Sequence, residues 1–325
     1  MSLLSRIISP RYPPAAVGLS GELAAVVQLE RRGGRLSVRS AAFLPLAGGL
    51  VRPSFDEPNV ADASELARAL SELTAGAGLA RRRRWSVALP EASTRTSILT
   101  METAPASRSE AEEMLRWKTE RALGAPLDEL RVSRERLQAD AQGRARYLVT
   151  AVRLHVLAEY EQTFALLGWH AGLILPRHMG EARWLMGGGP SRADSLLVSS
   201  HREGFTALVL RGDQPLYVRS VSCEPEDLAD ELYRFLLFYR DRNAPDADIA
   251  GQAAPPPPAF AEHIERLLVA GTGLDYERAS AIVAEALAAP PRPVDPADVR
   301  LSLPSGEIDF RLIAAPAGLA ALAWG

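Results

Sequence analysis

From residue 16 to residue 45 apolar and polar positions alternate, the period-two pattern of strands that bury one face. Ala16 and Val17 open a strand, Gly18-Leu19-Ser20-Gly21 predicts a tight turn, and Ala24 to Leu29 predict the returning strand. Gly33-Gly34 marks the next hairpin. The period then lengthens. Leu66, Leu70 and Leu73 recur at helical spacing, with Asp62 or Ser64 as the N-cap. "RRRRWSVALP" predicts a strand entered through Arg81 to Arg84, read here as a solvated entry. The clearest helix is "SRSEAEEMLRWKTERALG". Ser107 and Glu110 form a capping box, acidic residues lead, basic residues follow, and Gly124 with Pro126 stops it. Met114, Leu115, Trp117 and Leu123 give it an apolar surface wider than one stripe, which predicts more than one packed neighbour. Two strands follow, then a helix with Val156, Tyr160, Phe164 and Leu167 on one face, a strand at "WHAGLILP", and a helix from about Arg177 to Met186.

The second half restarts the first. "SLLVSSHREGFTALVLRGDQPLYVRSVS" reads strand, polar turn, strand, hairpin turn at Gly212-Asp213, strand. A helix with Leu228, Leu232, Phe235, Leu236 and Tyr239 facing inward comes next, then a Pro-rich loop, then strand, Gly turn and helix in "IERLLVAGTGLDYERASAIVAEAL". "GEIDF" and "LIAAPAGLAALAWG" close the chain without an assigned element. Two meanders, each followed by helix and strand, predict two related α/β lobes with a cleft between them.

Composition narrows the chemistry. A net charge of −3 over 325 residues exerts no global pull on nucleic acid. Cys223 is the single cysteine, so no internal disulfide and no cysteine-based metal site can form. His155, His170, His178, His201 and His263 show no metal-ligand pairing. "GLSGE" is not a nucleophile elbow, and "GTGLDYE" lacks the third glycine of a dinucleotide loop. No catalytic residue and no metal ligand is expected. No apolar run reaches the length of a membrane span. The start "MSLLSRIISPRYPP" reads as a tail, with Leu3, Leu4, Ile7 and Ile8 among Arg6 and Arg11 as an amphipathic alternative. A cytoplasmic protein is expected.

Three stretches in this order carry a resemblance: "RWKTERALGAPLDEL" from Arg116 to Leu130, "LLVSSHREGFTALVLRGDQPLYVRSVSCEPEDLADELYRFLLFYRD", and "LVAGTGL". Their order and spacing resemble the PilM-like type IV pilus assembly proteins of the actin-like ATPase superfamily. The resemblance implies an α/β, actin-like (ribonuclease H-like) two-lobe fold with an inserted α/β subdomain, comparable to that of FtsA. Residues 1–15 would be a tail, 16–83 plus 169–189 the first lobe, 84–168 the insertion, and 190–325 the second lobe with its Pro-rich loop near 254–258. It also implies a cytoplasmic scaffold at the cytoplasmic face of the inner membrane, assembled as a homo-oligomeric ring. Such a scaffold would hold the N-terminal tail of a PilN-like membrane protein between the insertion and the first lobe. It would be peripherally membrane-associated through that partner, and linked to the pilus motor ATPase or platform components. Arg116, Trp117 and Arg121 would form one wall of the groove.

The nucleotide motifs depart from that family. Ser20 stands where the first phosphate hairpin has its acid, Ala25 where it has Lys, and the hairpin is about two residues shorter. Ser199 and His201 replace Asp and Gly in the second hairpin. Gly18, Ser20, Gly271, Thr272 and Gly273 would be the remains of a nucleotide site. Without the acids no hard oxygen ligand for Mg²⁺ remains. The expectation is therefore a pseudo-ATPase with no cofactor, ATP and Mg²⁺ being disfavoured. The alternatives are an actin-like ATPase or kinase with divergent loops, its acid supplied by a residue such as Asp275, and a type II secretion GspL-like component.

Overall fold

The first meander forms as its alternation predicts, but both of its faces are buried. In β1 (Ala15–Leu19) and β2 (Leu23–Arg32), paired antiparallel with Ala15 opposite Gln28, Val17, Leu19, Ala24 and Val26 enter one core. Ala16, Ala25, Val27 and Leu29 enter another on the opposite face. β3 (Arg35–Pro45) completes the meander. The computed structural model describes residues 12–103, 106–140, 142–186, 193–243, 263–304 and 308–324. The tail up to residue 11, the 187–189 glycine break and the Pro-rich loop at 254–258 lie outside the described residues.

Helix α1 (Ala63–Gly76) starts where Asp62 accepts hydrogen bonds from the Ser64 and Glu65 amides, at 2.8 and 3.0 Å. It buries Leu66, Leu70 and Leu73 on the sheet. β4 (Arg84–Leu89) then returns parallel to β1. After an excursion, α3 (Leu154–Leu166) packs into the same core as α1, and β8 (His170–Pro176) lies parallel to β4. The second half repeats this path. β9 (Asp194–His201), β10 (Gly204–Arg211) and β11 (Gln214–Ser222) form a meander, α5 (Leu228–Asn243) crosses, and β12 (Ile264–Gly271) lies parallel to β9. α6 (Tyr276–Leu287) and the short β13 (Arg292–Pro293) follow. With β14 (Leu301–Ser302) at one edge, the strand orders are β14-β3-β2-β1-β4-β8 and β11-β10-β9-β12-β13. Each lobe thus runs meander, helix, parallel strand, helix, parallel strand, the duplicated ribonuclease H-like topology of actin-like proteins.

The excursion is a third sheet, of order β5-β7-β6, from β5 (Arg95–Thr100), β6 (Leu130–Leu137) and β7 (Arg146–Arg153). Helix α2 (Arg108–Leu123) covers one face of it. The insertion therefore spans about 95–153, not 84–168. β4 belongs to the first-lobe sheet through its pairing with β1, and α3 to the first-lobe core. The first-lobe loop clamps the insertion: Asp56 accepts from Arg95 at 3.0 Å and from Arg153 at 2.7 Å, with the Arg95 guanidinium 4.1 Å above the Phe55 ring. Arg146 ties the other side to the second lobe, donating to the Pro215 and Leu216 carbonyls at 3.0 and 3.1 Å.

The second lobe does not own the whole chain end either. β14 (Leu301–Ser302) joins the first-lobe sheet beside β3, and α7 (Phe310–Ala321) lies in the core shared by both lobes. An interior proline, Pro316, breaks helix propensity, and the sequence reading assigned this stretch no element. Burial overrides propensity here. α4 (Arg177–Ala182), shorter than the predicted helix to Met186, crosses α7 at Gly180 and Gly318. A Cβ on Gly318 would lie 1.8 Å from the Gly180 carbonyl oxygen, so only glycine permits the crossing.

Candidate functional site

The carboxyl ends of β1 and β9 face each other across the interlobe cleft, where open α/β sheets bind ligands. Each strand end is closed by residues of its own. Ser20 spends its hydroxyl on its turn, accepting from the Leu23 amide at 3.0 Å, while its own amide donates to the Leu23 carbonyl at 2.9 Å. Gly18 serves helix packing: a Cβ there would meet Pro316 Cδ of α7 at 2.8 Å. Gly271 adopts φ +86°, and a Cβ on it would fall 1.8 Å from the Ser200 carbonyl oxygen. Gly273 sits against His201 in the same way, at 2.8 Å. These glycines let β12 leave its pairing with β9. Thr272 donates to Glu22 at 3.4 Å, and its amide donates to the Ser200 carbonyl at 3.1 Å. Each of the five candidate nucleotide residues is engaged by a neighbour within the chain, and Thr272 reaches the first hairpin through Glu22.

The mouth itself is acidic. Glu22 of the first hairpin reaches Arg202 of the second at 3.8 Å, and Glu203 pairs with His201 at 3.2 Å. That hydrogen bond holds Glu203 below the usual carboxylate range. A cavity of about 460 Å³ opens beside it between β5 and β11, with Asp56, Glu91 and Glu203 in its lining along with Arg95 and His201. Each of these carboxylates already has a basic partner in the chain: Asp56 has Arg95 and Arg153, Glu91 has His178, and Glu203 has His201. Among the described residues no group of three or more His, Cys, Asp or Glu could hold a metal ion. Asp275, the alternative acid, caps α6 by accepting from the Arg278 amide at 2.7 Å.

Under the mouth lies a buried network that sequence reasoning missed. Glu91 follows β4, and His178 follows β8 at the start of α4. Glu91 accepts from the His178 amide and pairs with His178 Nδ1, both at 2.6 Å, and Ser199 Oγ reaches it at 3.5 Å. Arg177 and Glu181 pair one turn along, at 3.4 Å. His178 is 1% exposed and Glu181 0%. Burial works to raise the Glu91 carboxyl, but the charge and hydrogen bond of His178 prevail and hold it at about 2. Burial opposes the charged His178 ring, yet Glu91 and Glu181 raise its pKa. Burial lifts Glu181 despite Arg177. His178 Nε2 and Glu181 Oε2 have no hydrogen-bond partner among the described residues. The available signal was positional: Leu89-Pro90-Glu91 and Leu175-Pro176-Arg177-His178 each put charge just beyond a parallel strand of the first-lobe sheet.

A second site lies at the sheet edges. β8 ends the first-lobe sheet and β6 ends the inserted one, so each leaves a row of backbone groups unpaired. Between them is a cavity of about 140 Å³, walled by Leu89, Val132, Val152, Ile174, Leu175 and Pro176. Arg131, Ser133 and Thr150 add its polar groups. Arg116, Trp117 and Arg121 do not line it. Tyr147, Val149 and Ala151 turn toward α2, so Thr150 and Val152 belong to the other face. α2 packs chiefly through Leu115, Thr119 and Leu123 while Trp117 stays exposed, which narrows the broader apolar surface expected of it. Trp117 is 57% exposed, with the Arg121 guanidinium 5.3 Å from its ring, and Arg116 pairs with Glu120 at 3.4 Å.

The chain is similar to a chain of the PilM-PilN type IV pilus biogenesis complex, with 18% identity and a TM-score of 0.74, over 97% of this chain and 100% of that one. The two share one fold. Fainter likenesses reach a protein of actin-like ATPase fold and unknown function from Bacteroides thetaiotaomicron, with 11% identity, 98% of each chain and a TM-score of 0.46. Another is the cytoplasmic domain of EpsL, an inner membrane component of the type II secretion system of Vibrio cholerae, with 12% identity, 96% of this chain, 95% of that one and a TM-score of 0.47. No family model matches the chain, and no curated protein matches it in sequence. No helix among the described residues is long and apolar enough to cross a membrane.

Proposed function

We propose that this protein is a scaffold of a type IV pilus assembly machine and holds the cytoplasmic tail of a PilN-like membrane protein in the groove between β8 and β6. The carrying observation is that two free strand edges flank one apolar groove. An extended peptide laid there completes a sheet with its backbone and fills alternate pockets with its side chains. The shared fold with a chain of the PilM-PilN complex supports the choice of partner. The interlobe cleft supports the pseudo-ATPase half of the reading, because its hairpins and the buried Glu91 are satisfied from within the chain. In this reading the protein works at the cytoplasmic face of the inner membrane, in a homo-oligomeric ring, passing contact from the membrane protein to the pilus motor or platform.

The test is fluorescence anisotropy with the labelled N-terminal tail of the PilN-like protein, without nucleotide. Saturable binding in the micromolar range is expected. No binding at millimolar protein, or binding that requires ATP, overturns the reading.

A further inference from the structure

A large cavity lies at the end of the first lobe opposite the interlobe cleft. It measures about 880 Å³, and Arg39, Arg81, Arg82, Arg83 and Arg84 line it with no carboxylate among its walls. β4 begins at Arg84 and runs away from this cavity toward Glu91, so cavity and cleft sit at opposite ends of the same strands. None of these five arginines makes an ion pair among the described residues. Arg83 donates only to the Ala80 and Arg82 carbonyls, at 3.2 and 3.4 Å. In a chain of net charge −3 this is a concentration of unneutralised positive charge on one face. Several arginines on other faces are charge-paired: Arg95 and Arg153 with Asp56, Arg202 with Glu22, Arg292 with Glu265.

We infer that this arginine-lined face docks directly on an anionic phospholipid surface. Guanidinium groups match phosphate oxygens in geometry and charge. The rim carries Tyr12 and Trp324, ring types that settle at head-group depth. The sequence leading into Tyr12 supplies Leu3, Leu4, Ile7 and Ile8 with Arg6 and Arg11. An aliphatic sequence and a polybasic patch on one chain are the two signals that together give a peripheral protein stable membrane contact. A nucleic-acid duplex would use the arginines and leave the aliphatic side chains and rim rings in water. The bilayer is therefore the occupant these features fit. The inference does not rest on the tail-peptide reading.

The experiment is flotation of the full chain with vesicles of phosphatidylcholine alone and of phosphatidylcholine containing about a third phosphatidylglycerol. Binding is expected to the anionic vesicles only, and to vanish near 1 M salt, where the screening length is about 3 Å. Each arginine near the surface is worth about fivefold, so Arg81→Gln/Arg82→Gln/Arg84→Gln is expected to lower partitioning on the order of 100-fold. The equal charge change Arg234→Gln/Arg242→Gln/Arg278→Gln, on the second lobe, is expected to leave it unchanged. If the triple variant is unstable, Arg81→Gln and Arg84→Gln singly should each lose about fivefold. Equal binding to neutral vesicles overturns the inference, as does undiminished binding of the patch variants. So does tighter binding of a DNA duplex or of polyglutamate through the same arginines. Displacement from vesicles by millimolar inorganic phosphate at constant ionic strength also overturns it, because that marks a small-anion site.

Discussion

The interlobe cleft and the groove beside β8 are both made from the margins of sheets, one from strand ends and the other from strand edges. They differ in what the chain does with its own polar groups. In the cleft, Ser20 caps its turn, Glu22 spans to Arg202, and Glu91 is neutralised by His178. In the groove, β8 and β6 keep their outer backbone groups unpaired beside Val132, Ile174 and Leu175. A site whose donors and acceptors are already matched gains little from a ligand, whereas an unmatched edge gains a ladder of hydrogen bonds. The comparison is the reason the proposed binding is assigned to the strand edges rather than to the strand ends.

The strongest way to break the comparison is to remove the cleft's internal partner. His178→Ala leaves Glu91 buried and uncompensated, and should cost about 3–5 kcal/mol in chemical denaturation. A loss below about 1 kcal/mol would mean the pair does not organise the cleft. The same network sets a pH dependence. Glu91 is held at about 2 against an ordinary 4.5, so its contribution is complete above 4.5 and lost as pH falls toward 2. His178 is raised from 6.5 and Glu181 from 4.5, so their contributions are complete at lower pH and fade as pH rises through the folded values. Stability should therefore peak on the acid side of neutrality, which denaturation midpoints across about pH 4 to 9 would test.

Next in size is the affinity gap. Mg-ATP should bind no tighter than about millimolar and the tail peptide near micromolar, a difference of about 4 kcal/mol by calorimetry. Restoring acids with Ser20→Asp/Ser199→Asp should not close it, since Glu22 and Glu203 still occupy the mouth. A micromolar constant for ATP would reverse the roles of the two sites. Ser133→Trp fills the groove from an exposed position on β6 and should weaken tail binding by about 2 kcal/mol with the melting temperature unchanged. Trp117→Ala sharpens the same point at the lower end. Its ring packs on no core, so stability should move by under about 0.5 kcal/mol and tail binding should persist. A loss comparable to that of Ser133→Trp would return α2 to the binding surface.

Local signals were legible wherever they act within a turn or two. Ser107 caps α2 by accepting from the Glu110 amide at 3.1 Å, and Glu110 reaches back to the Ala106 amide at 2.6 Å. Gly124 ends that helix at φ +67°, and Asp62 caps α1. The inward residues read for α5, from Leu228 to Tyr239, are all buried. The use each candidate nucleotide residue is put to was not readable, because Pro316 lies far from Gly18 along the chain and Glu22 far from Thr272.

Periodicity and turn chemistry, which depend on neighbours in the chain, were enough to specify the two meanders, the capped helices and the repeated order of elements. Contacts between distant segments governed the rest. α7 is helical despite Pro316 because two lobes bury it, and Trp117 is exposed because the inserted sheet packs chiefly against Leu115, Thr119 and Leu123 of α2. Glu91 and His178 meet because parallel β4 and β8 end side by side. The free edges of β6 and β8 exist only once the sheets have closed on their other sides. Such features come from desolvation and strand order, to which no local stretch of residues carries the key.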